Sequence, residues 1–556
     1  MSRSTNGAVV SQAKRAADDA AGETARSVVS RRSVGRARSA GHVRSNEVVR
    51  SNGLARVRQP ARSEDSGRST SLDRQAERNR SRPHDPPPLR IRRAGASLPP
   101  GPRIGDSGKL ARARGQVARA PSSALKTPIK NNIAVAPAST WNAVEARAGD
   151  HPSIYQWLLA VFHGPSRQEF HAEQDDPTYE PRNRLLVKRG LRIVSHAQIV
   201  RRAMLFGALQ LPVDQLTWVG TLPEFRRQGA AGRLLDAANV KMHTHGAALG
   251  LLRTRVPHFF HRAGWAVCGR HCSSRARTSE ILARYWAEPA LRSGALNIRL
   301  WRHFELPALM RLYGQNTAGA YGPLERSEAY WRWLISRAAF DHIVIALAGP
   351  DRLDLNETVA PIVGYAVVRQ DRVAELFTDP AYPTAGFQLL ARACSDAIER
   401  RGSEIVLDAP CGDPLHQFVQ SAGGVAQHRE ADGDEVFMVK LLDAASFLTR
   451  LEPVFEARAR AVDPSGTCEL GLLIESDKFL LTVGRRGAKI SRDRLGRSYL
   501  ACNRSEFTRL LLGHASPADA VAQGRLTVST QTALELAEVL FPRLPSWRPP
   551  WDDLTA

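Results

Sequence analysis

From about Lys130 onward, apolar residues recur with two alternating periods, near 2 and near 3.6, the signature of strands and helices in succession. A short β-like run, "NIAVAPA", precedes "DHPSIYQWLLAVFHG", where Ile154, Trp157, Leu158 and Val161 share a helical face. Strands are predicted in "RNRLLVKRG", in "LRIVSHAQIVRRAMLFGALQL" and in "QLTWVGTLP", which runs into an apolar helix, then in "AALGLLRT". A short "HFFHRAGW" element and "AVCGRHCSSR" close this round. A second round starts near Asn297: strand "NIRLW", helices through "LPALMRLY" and "SEAYWRWLISR", strands "HIVIALAG", "PIVGYAVVRQ" and "VAELFT", helix "GFQLLARACSDAIERRG", strand "EIVLDAP", helix "PLHQFVQSAG" and strand "EVFMVKLL". The element order repeats while the residues do not, which predicts a duplicated α/β unit. The last stretch begins with the amphipathic "AASFLTRLEPVFEARARAV", whose apolar stripe reads as core rather than membrane face. It continues with alternating segments that predict antiparallel strands, and ends in helices and the Trp/Pro-rich "SWRPPWDDLTA". The predicted class is α/β with mixed sheets.

Met1 to about Thr127 has no sustained period and is rich in Arg, Ser, Ala, Gly and Pro, so it cannot bury enough apolar surface to offset its ordering entropy and is predicted disordered. Charge sharpens that division. The net charge is +23, but up to Thr140 there are roughly 28 basic against 10 acidic residues, and the remainder is nearly balanced. The folded part therefore lacks a nucleic-acid signature. The tail either is solvated or serves as a basic arm for phosphate backbones, although it has almost no aromatic side chain on which a base would stack. No window is apolar enough to span a bilayer and no secretory h-region is visible, so a cytoplasmic protein without membrane contact is expected. The expected domains are a tail over 1–129, α/β units over 130–290 and 291–444, and a terminal domain over 445–556.

Six cysteines are scattered along the chain, and no disulfide framework is expected. Only Cys268-Gly-Arg-His271-Cys272 is locally suggestive of metal binding. With no second close ligand pair following it, the expectation is no metal.

The chemistry-bearing stretch is "TLPEFRRQGAAGRLL", Thr221 to Leu235. A strand ends, Pro223 halts it, and a helix starts with unpaired N–H groups that favour an anion, while Gly229, Ala230 and Ala231 let a phosphate approach the backbone. Taken alone, a tight strand-helix turn with surface arginines explains it equally well. Its setting carries more. Arg226, Gly229 and Ala231 meet the Arg/Gln-x-x-Gly-x-Gly/Ala pattern, and "FFHRAGW" downstream is similar to a "FY-x-x-x-GF/W" signature. Together they resemble the GNAT family of N-acetyltransferases. The resemblance implies that Arg226, Arg227, Gln228, Gly229, Ala230, Ala231 and Gly232 hold the pyrophosphate of acetyl-coenzyme A. It further implies that Val219, Gly220 and Thr221, with Arg255 and Val256 across a splayed strand pair, hold the pantetheine arm. The wider layout resembles the enhanced-intracellular-survival (Eis) group: two fused GNAT-like units, the second with "TDPAYPTAG" in place of the phosphate loop, and a sterol-carrier-protein-like terminal domain.

Transfer from a thioester to an amine needs a deprotonated amine, an oxyanion donor and a leaving thiolate. The Eis resemblance implies a tyrosine acid and the chain's terminal carboxylate, here Ala556, as base, with Asp552 or Asp553 of the extra "WRPPWDDLTA" as the alternative base. Phe260 stands at the tyrosine's position and cannot donate a proton. A thiol of pKa about 8.5 is a fair leaving group unaided, and His258 or His261 beside it are substitutes to consider. The function expected is acetyl-coenzyme A-dependent acetylation of a small-molecule amine or a protein lysine. The rival is a catalytically weak protein that binds acyl-coenzyme A or an apolar ligand. A homo-oligomer is in keeping with the group.

Overall fold

The computed structural model describes residues 141–351, 361–432, 435–464 and 466–554. The predicted basic tail, the "NIAVAPA" run and Ala556 lie outside them.

The first sheet is built on a long antiparallel hairpin. Strand β1 (Ala143–Glu145) pairs β2 (Arg184–Arg189), which pairs β3 (Arg192–Phe206), and β3 pairs β4 (Leu209–Thr221). The sequence pattern ran β3 through to residue 211. The structure instead turns at residues 207 and 208, where Gly207 takes a positive φ of 62° suited to a two-residue hairpin. Helices α1 (His151–Phe162) and α2 (Arg167–Gln174) join β1 to β2. Helix α3 (Ala230–Thr244) joins β4 to the parallel strand β5 (Leu249–Thr254), burying Ala230, Leu234, Leu235, Ala238 and Met242 on one stripe.

The first two sheets draw strands from interleaved stretches of the chain. After the short helix α4 (Pro257–His261) and β6 (Ala266–Val267), strand β7 (His271–Arg277) leaves the first sheet and inserts into a second, seven-stranded one between strands Val425–Arg429 and Glu404–Asp408. Glu435–Leu441, which follows the last strand of the second sheet in sequence, pairs with β5 in the first sheet, from Val436 opposite Thr254 to Leu441 opposite Leu249. Neither sheet is complete within one stretch of sequence.

A third, five-stranded sheet, with Cys468–Ile474 at its centre, belongs to the last hundred residues. The amphipathic stretch before it breaks at Leu451, ahead of Pro453, into helices Ala444–Arg450 and Glu452–Val462. Phe447, Leu448, Leu451 and Phe455 from these helices join one core with Leu211 and Val213 of β4 and with the third sheet. The stripe is thus packed core, and no helix among the described residues is long and apolar enough to cross a membrane. In the tail of the chain Trp551 is fully buried against Trp331. Cys272 and Cys411, 139 residues apart, are disulfide-bonded, a cross-link that the scattered cysteines did not foretell.

Candidate active site

Strands β4 and β5 pair only through Val213–Leu249, Asp214–Gly250 and Gln215–Leu251. Beyond those residues they diverge, and the gap opens into a cavity of about 1310 Å³. That exceeds the roughly 300–1,000 Å³ of a single small-ligand site and leaves room for two substrates side by side.

One end of the cavity is the turn into α3. Arg227 and Gly229 both take positive φ, 61° and 87°, so the backbone curls just ahead of the helix. Such alternation gathers successive N–H groups into an anion-binding concavity, which the dipole of α3 reinforces. The curl is braced: Trp141 Nε1 donates to the Gln228 carbonyl at 2.6 Å, Gln228 Nε2 donates to the Glu224 carbonyl at 2.9 Å, and Arg226 Nε donates to the Thr221 carbonyl at 3.2 Å.

Midway, β4 carries a bulge. Ser195 faces Thr221 and His196 faces Gly220, yet Gln198 faces Thr217, so two residues of β4 oppose one of β3. Trp218 sits at the bulge with φ 52°, a conformation that an aromatic residue adopts only when its surroundings hold it. Its carbonyl is 2.9 Å from His196 Nδ1 and its indole Nε1 donates to Glu173 Oε1 at 2.7 Å. Burial, with the nearby Arg184 charge, pushes the His196 pKa down to about 3, so the ring is neutral, donates from Nδ1 and presents Nε2 to Arg184. Gly220 follows the bulge. A Cβ there would stand 3.0 Å from Phe162 Cζ and from Trp157 Cη2, so α1 lies directly on the strand.

The opposite end of the cavity carries carboxylates paired with arginines. Glu173 accepts from Arg184 Nη2 at 3.0 Å, and burial raises its carboxyl above the ordinary value against the opposing pull of Arg184. Asp176, paired with Arg202, and Asp552, Asp553 and Leu554 from the end of the chain complete this wall with Tyr330 and Trp333. Tyr330 donates to Asp552 Oδ1 at 3.2 Å, and burial pushes its hydroxyl up to about 12.

Of the residues singled out from sequence, Val219, Gly220, Thr221, Arg226, Arg227, Gly229, Ala230, Ala231, Gly232, Arg255 and Val256 all line this one cavity. Gln228 does not; its side chain braces the turn. Phe260 lines the cavity and is buried edge-on to Phe259 and Trp265, whereas His261 is exposed and, like His258, is no part of the lining. Sequence reasoning missed Glu173, Trp218 and His196, whereas Asp552 and Asp553, its alternatives to the terminal carboxylate, do line the cavity. An acidic run in α2 and a tryptophan ahead of the glycine were visible, but only the bulge brings them together.

Residues 143–268 match the profile of the acetyltransferase (GNAT) domain. The chain carries a GNAT domain. By that domain it is an acyltransferase, and the match ends just where β7 departs for the second sheet. Among solved structures, a GCN5-related N-acetyltransferase from Anabaena variabilis is similar at 16% identity and a TM-score of 0.57, over 73% of this chain and 99% of that one. One from Kribbella flavida is similar at 17% identity and a TM-score of 0.56, over 74% and 99%. A conserved protein of unknown function from Enterococcus faecalis, a probable N-acyltransferase, is similar at 13% identity and a TM-score of 0.56, over 73% and 97%. At these identities the likeness is one of fold, and it extends over nearly the whole of each neighbour. No protein of curated function matches the sequence significantly.

Proposed function

We propose that this GNAT domain transfers an acetyl group from acetyl-coenzyme A to a cationic amine. The observation that carries the reading is the continuity of one cavity from the N–H-rich turn at Arg226–Gly232, past the bulge at Trp218, to the carboxylates at Glu173, Asp176 and Asp552. The turn suits a pyrophosphate. The splayed edges of β4 and β5 offer backbone groups to the amides of a pantetheine arm, as an added strand would use them. The carboxylate-lined wall favours a substrate that arrives as an ammonium ion and must lose a proton before it attacks the thioester carbonyl. Leu554 lines the wall two residues before the end of the given sequence, which supports the terminal carboxylate of Ala556 as the proton acceptor. The thiolate leaves past Phe260 without a proton donor at that position.

The tandem, Eis-like organisation belongs to the same proposal, with a second unit that serves as scaffold. In support, the helix Ala385–Glu399 begins under a cover: Gln388 accepts from the Leu296 N–H at 3.1 Å, and Thr384 Oγ1 donates to the Ser293 carbonyl at 3.3 Å, where a phosphate would need access. The terminal region is assigned a sterol-carrier-like role on pattern alone.

A second reading, a weakly active binding protein, rests on Phe260. Thiol release over a panel of amines, with wild type beside Phe260→Tyr, decides between them. Release by wild type with polycationic amines supports the enzyme, with a gain of about 10- to 100-fold in the variant if a proton donor is all that is lacking. Coenzyme A binding without release from either protein overturns it.

A further inference from the structure

A second constellation lies away from this cavity, where β7 enters the second sheet. Cys272 on β7 stands directly opposite His428 in the antiparallel register, and His428 Nδ1 is 3.4 Å from Cys272 Sγ. Strand Glu404–Asp408 flanks β7 on its other side, with Asp408 opposite Ser273, and the chain leaves that strand into a turn that carries Cys411. The Cα atoms of Cys272 and Cys411 are 5.6 Å apart, and the ligand atoms of Cys272, Cys411 and His428 lie within 4.8 Å of one another.

We propose that Cys272, Cys411 and His428 form a zinc site when the two cysteines are reduced, and that the disulfide is the alternative state of the same pair. Two thiolates and an imidazole are the donor set zinc selects. Tetrahedral bonds of about 2.3 Å to sulfur and about 2.0 Å to nitrogen place a sulfur and a nitrogen ligand about 3.5 Å apart, which the Cys272–His428 separation meets. Cys272 is fully buried, Cys411 half-buried and His428 exposed, so the ion would sit at the mouth of a pit rather than inside the core. The fourth position faces a cavity of about 350 Å³ whose wall includes Arg270, Arg429 and Arg509. Glu430 and Asp519 share that wall, which suits water, hydroxide or a small anion as fourth ligand. Neighbouring His271 is turned to Asp408, with Nε2 3.4 Å from its carboxylate, and is not the fourth ligand.

The two states interconvert by thiol–disulfide exchange. A dithiol gives two electrons to the Cys272–Cys411 bond and becomes a disulfide itself, each sulfur takes up a proton, and zinc displaces those two protons as it binds. The disulfide ties β7 to the turn at Cys411, and the zinc state adds the edge strand Val425–Arg429 through His428.

The test uses the full chain, reduced with a phosphine because a dithiol competes for zinc, loaded with Zn²⁺ and freed of excess by gel filtration. About one zinc per chain is expected in wild type, falling at least tenfold in Cys411→Ala and in His428→Ala, and unchanged in Cys394→Ala. Co²⁺ loading supplies a readout independent of yield: wild type shows tetrahedral visible bands and a thiolate-to-cobalt charge-transfer band, and Cys411→Ala weakens the latter. The proposal is overturned if reduced wild type holds no more zinc than Cys411→Ala. It is equally overturned if the cobalt bands survive both substitutions, or if the disulfide persists in excess reductant.

Discussion

Asp552 ties the end of the chain to the cavity, and its removal has a calculable effect. Its carboxylate accepts from Arg326 Nε and Nη2, both at 3.0 Å, and from Tyr330 at 3.2 Å, with both ionic side chains fully buried. Breaking a buried ion pair costs about 3–5 kcal/mol when the surviving charge is stranded. Arg326 is not stranded in Asp552→Ala, because it keeps its fork to Glu375 at 2.9 and 2.6 Å and lies over the Tyr313 ring at 4.1 Å. The cost therefore falls at the lower limit, about 3 kcal/mol, or roughly 150-fold more frequent opening of the docked tail. Trp551, in the core and with its carbonyl held by Arg337 at 2.6 Å, confines that opening to the final segment. Native-state hydrogen exchange on peptides covering residues 545–554 measures it. Faster exchange there, unchanged exchange in α3, and a raised KM for the amine are expected. Protection of the tail within threefold of wild type would refute the argument that this pair docks it. The pH dependence has a definite sign. Burial raises the Asp552 carboxyl, but the Arg326 charge and hydrogen bonds outweigh it and the net shift is below 3.8. The anchoring is thus complete above pH 3.8 and is lost as pH falls through the lower folded value, so wild type shows no loosening between pH 5 and 8 from this group.

Other outcomes follow from the same geometry. Gly220→Val drives side-chain atoms into Phe162 and Trp157, and should cost about 1–3 kcal/mol in thermal unfolding and lower kcat by displacing the bulge. Gly229→Ala forces a non-glycine residue to φ 87°, at about 1–2 kcal/mol, and should weaken coenzyme A binding in calorimetry while amine binding is unaffected. Glu173→Gln removes the carboxylate paired with the fully buried Arg184 side chain; both melting temperature and amine affinity should fall, by about 3 kcal/mol in stability. Its raised carboxyl means that the folded state gains from protonation below the ordinary value, and that this gain disappears as pH rises through the folded one. A C-terminal extension by a short neutral peptide removes the free carboxylate of Ala556, and should lower kcat by about 10²-fold with coenzyme A affinity unchanged if that group is the base.

Local signals carried much of this. Helix α3 was legible because Leu234, Leu235, Ala238 and Met242 recur at helical spacing, and its start was legible because Gly229 and two alanines follow a strand that Pro223 ends. The resemblance of that turn, with "FFHRAGW" after it, singled out residues that line one end of the cavity. These features depend on residues within one turn or one strand of each other, and such interactions survive in sequence as period and spacing.

The tertiary structure decided whatever depends on residues far apart in the chain. β7 lies in the second sheet and Glu435–Leu441 in the first, and no period reports which sheet a strand joins, since an alternating strand satisfies either. The carboxylate-lined wall joins Glu173 to Asp552, and the sulfur site joins Cys272 to Cys411 and His428. Cys268-Gly-Arg-His271-Cys272 looked like half a metal site because its nearest partners in sequence are missing, while the partners in space arrive on strand Val425–Arg429 and on the turn at Cys411. Secondary structure and the turn into α3 were thus written locally in the sequence. The identity of the groups that meet across the cavity, and at β7, was set by packing, because burial rewards any arrangement that closes the core and only one brings those side chains within bonding distance.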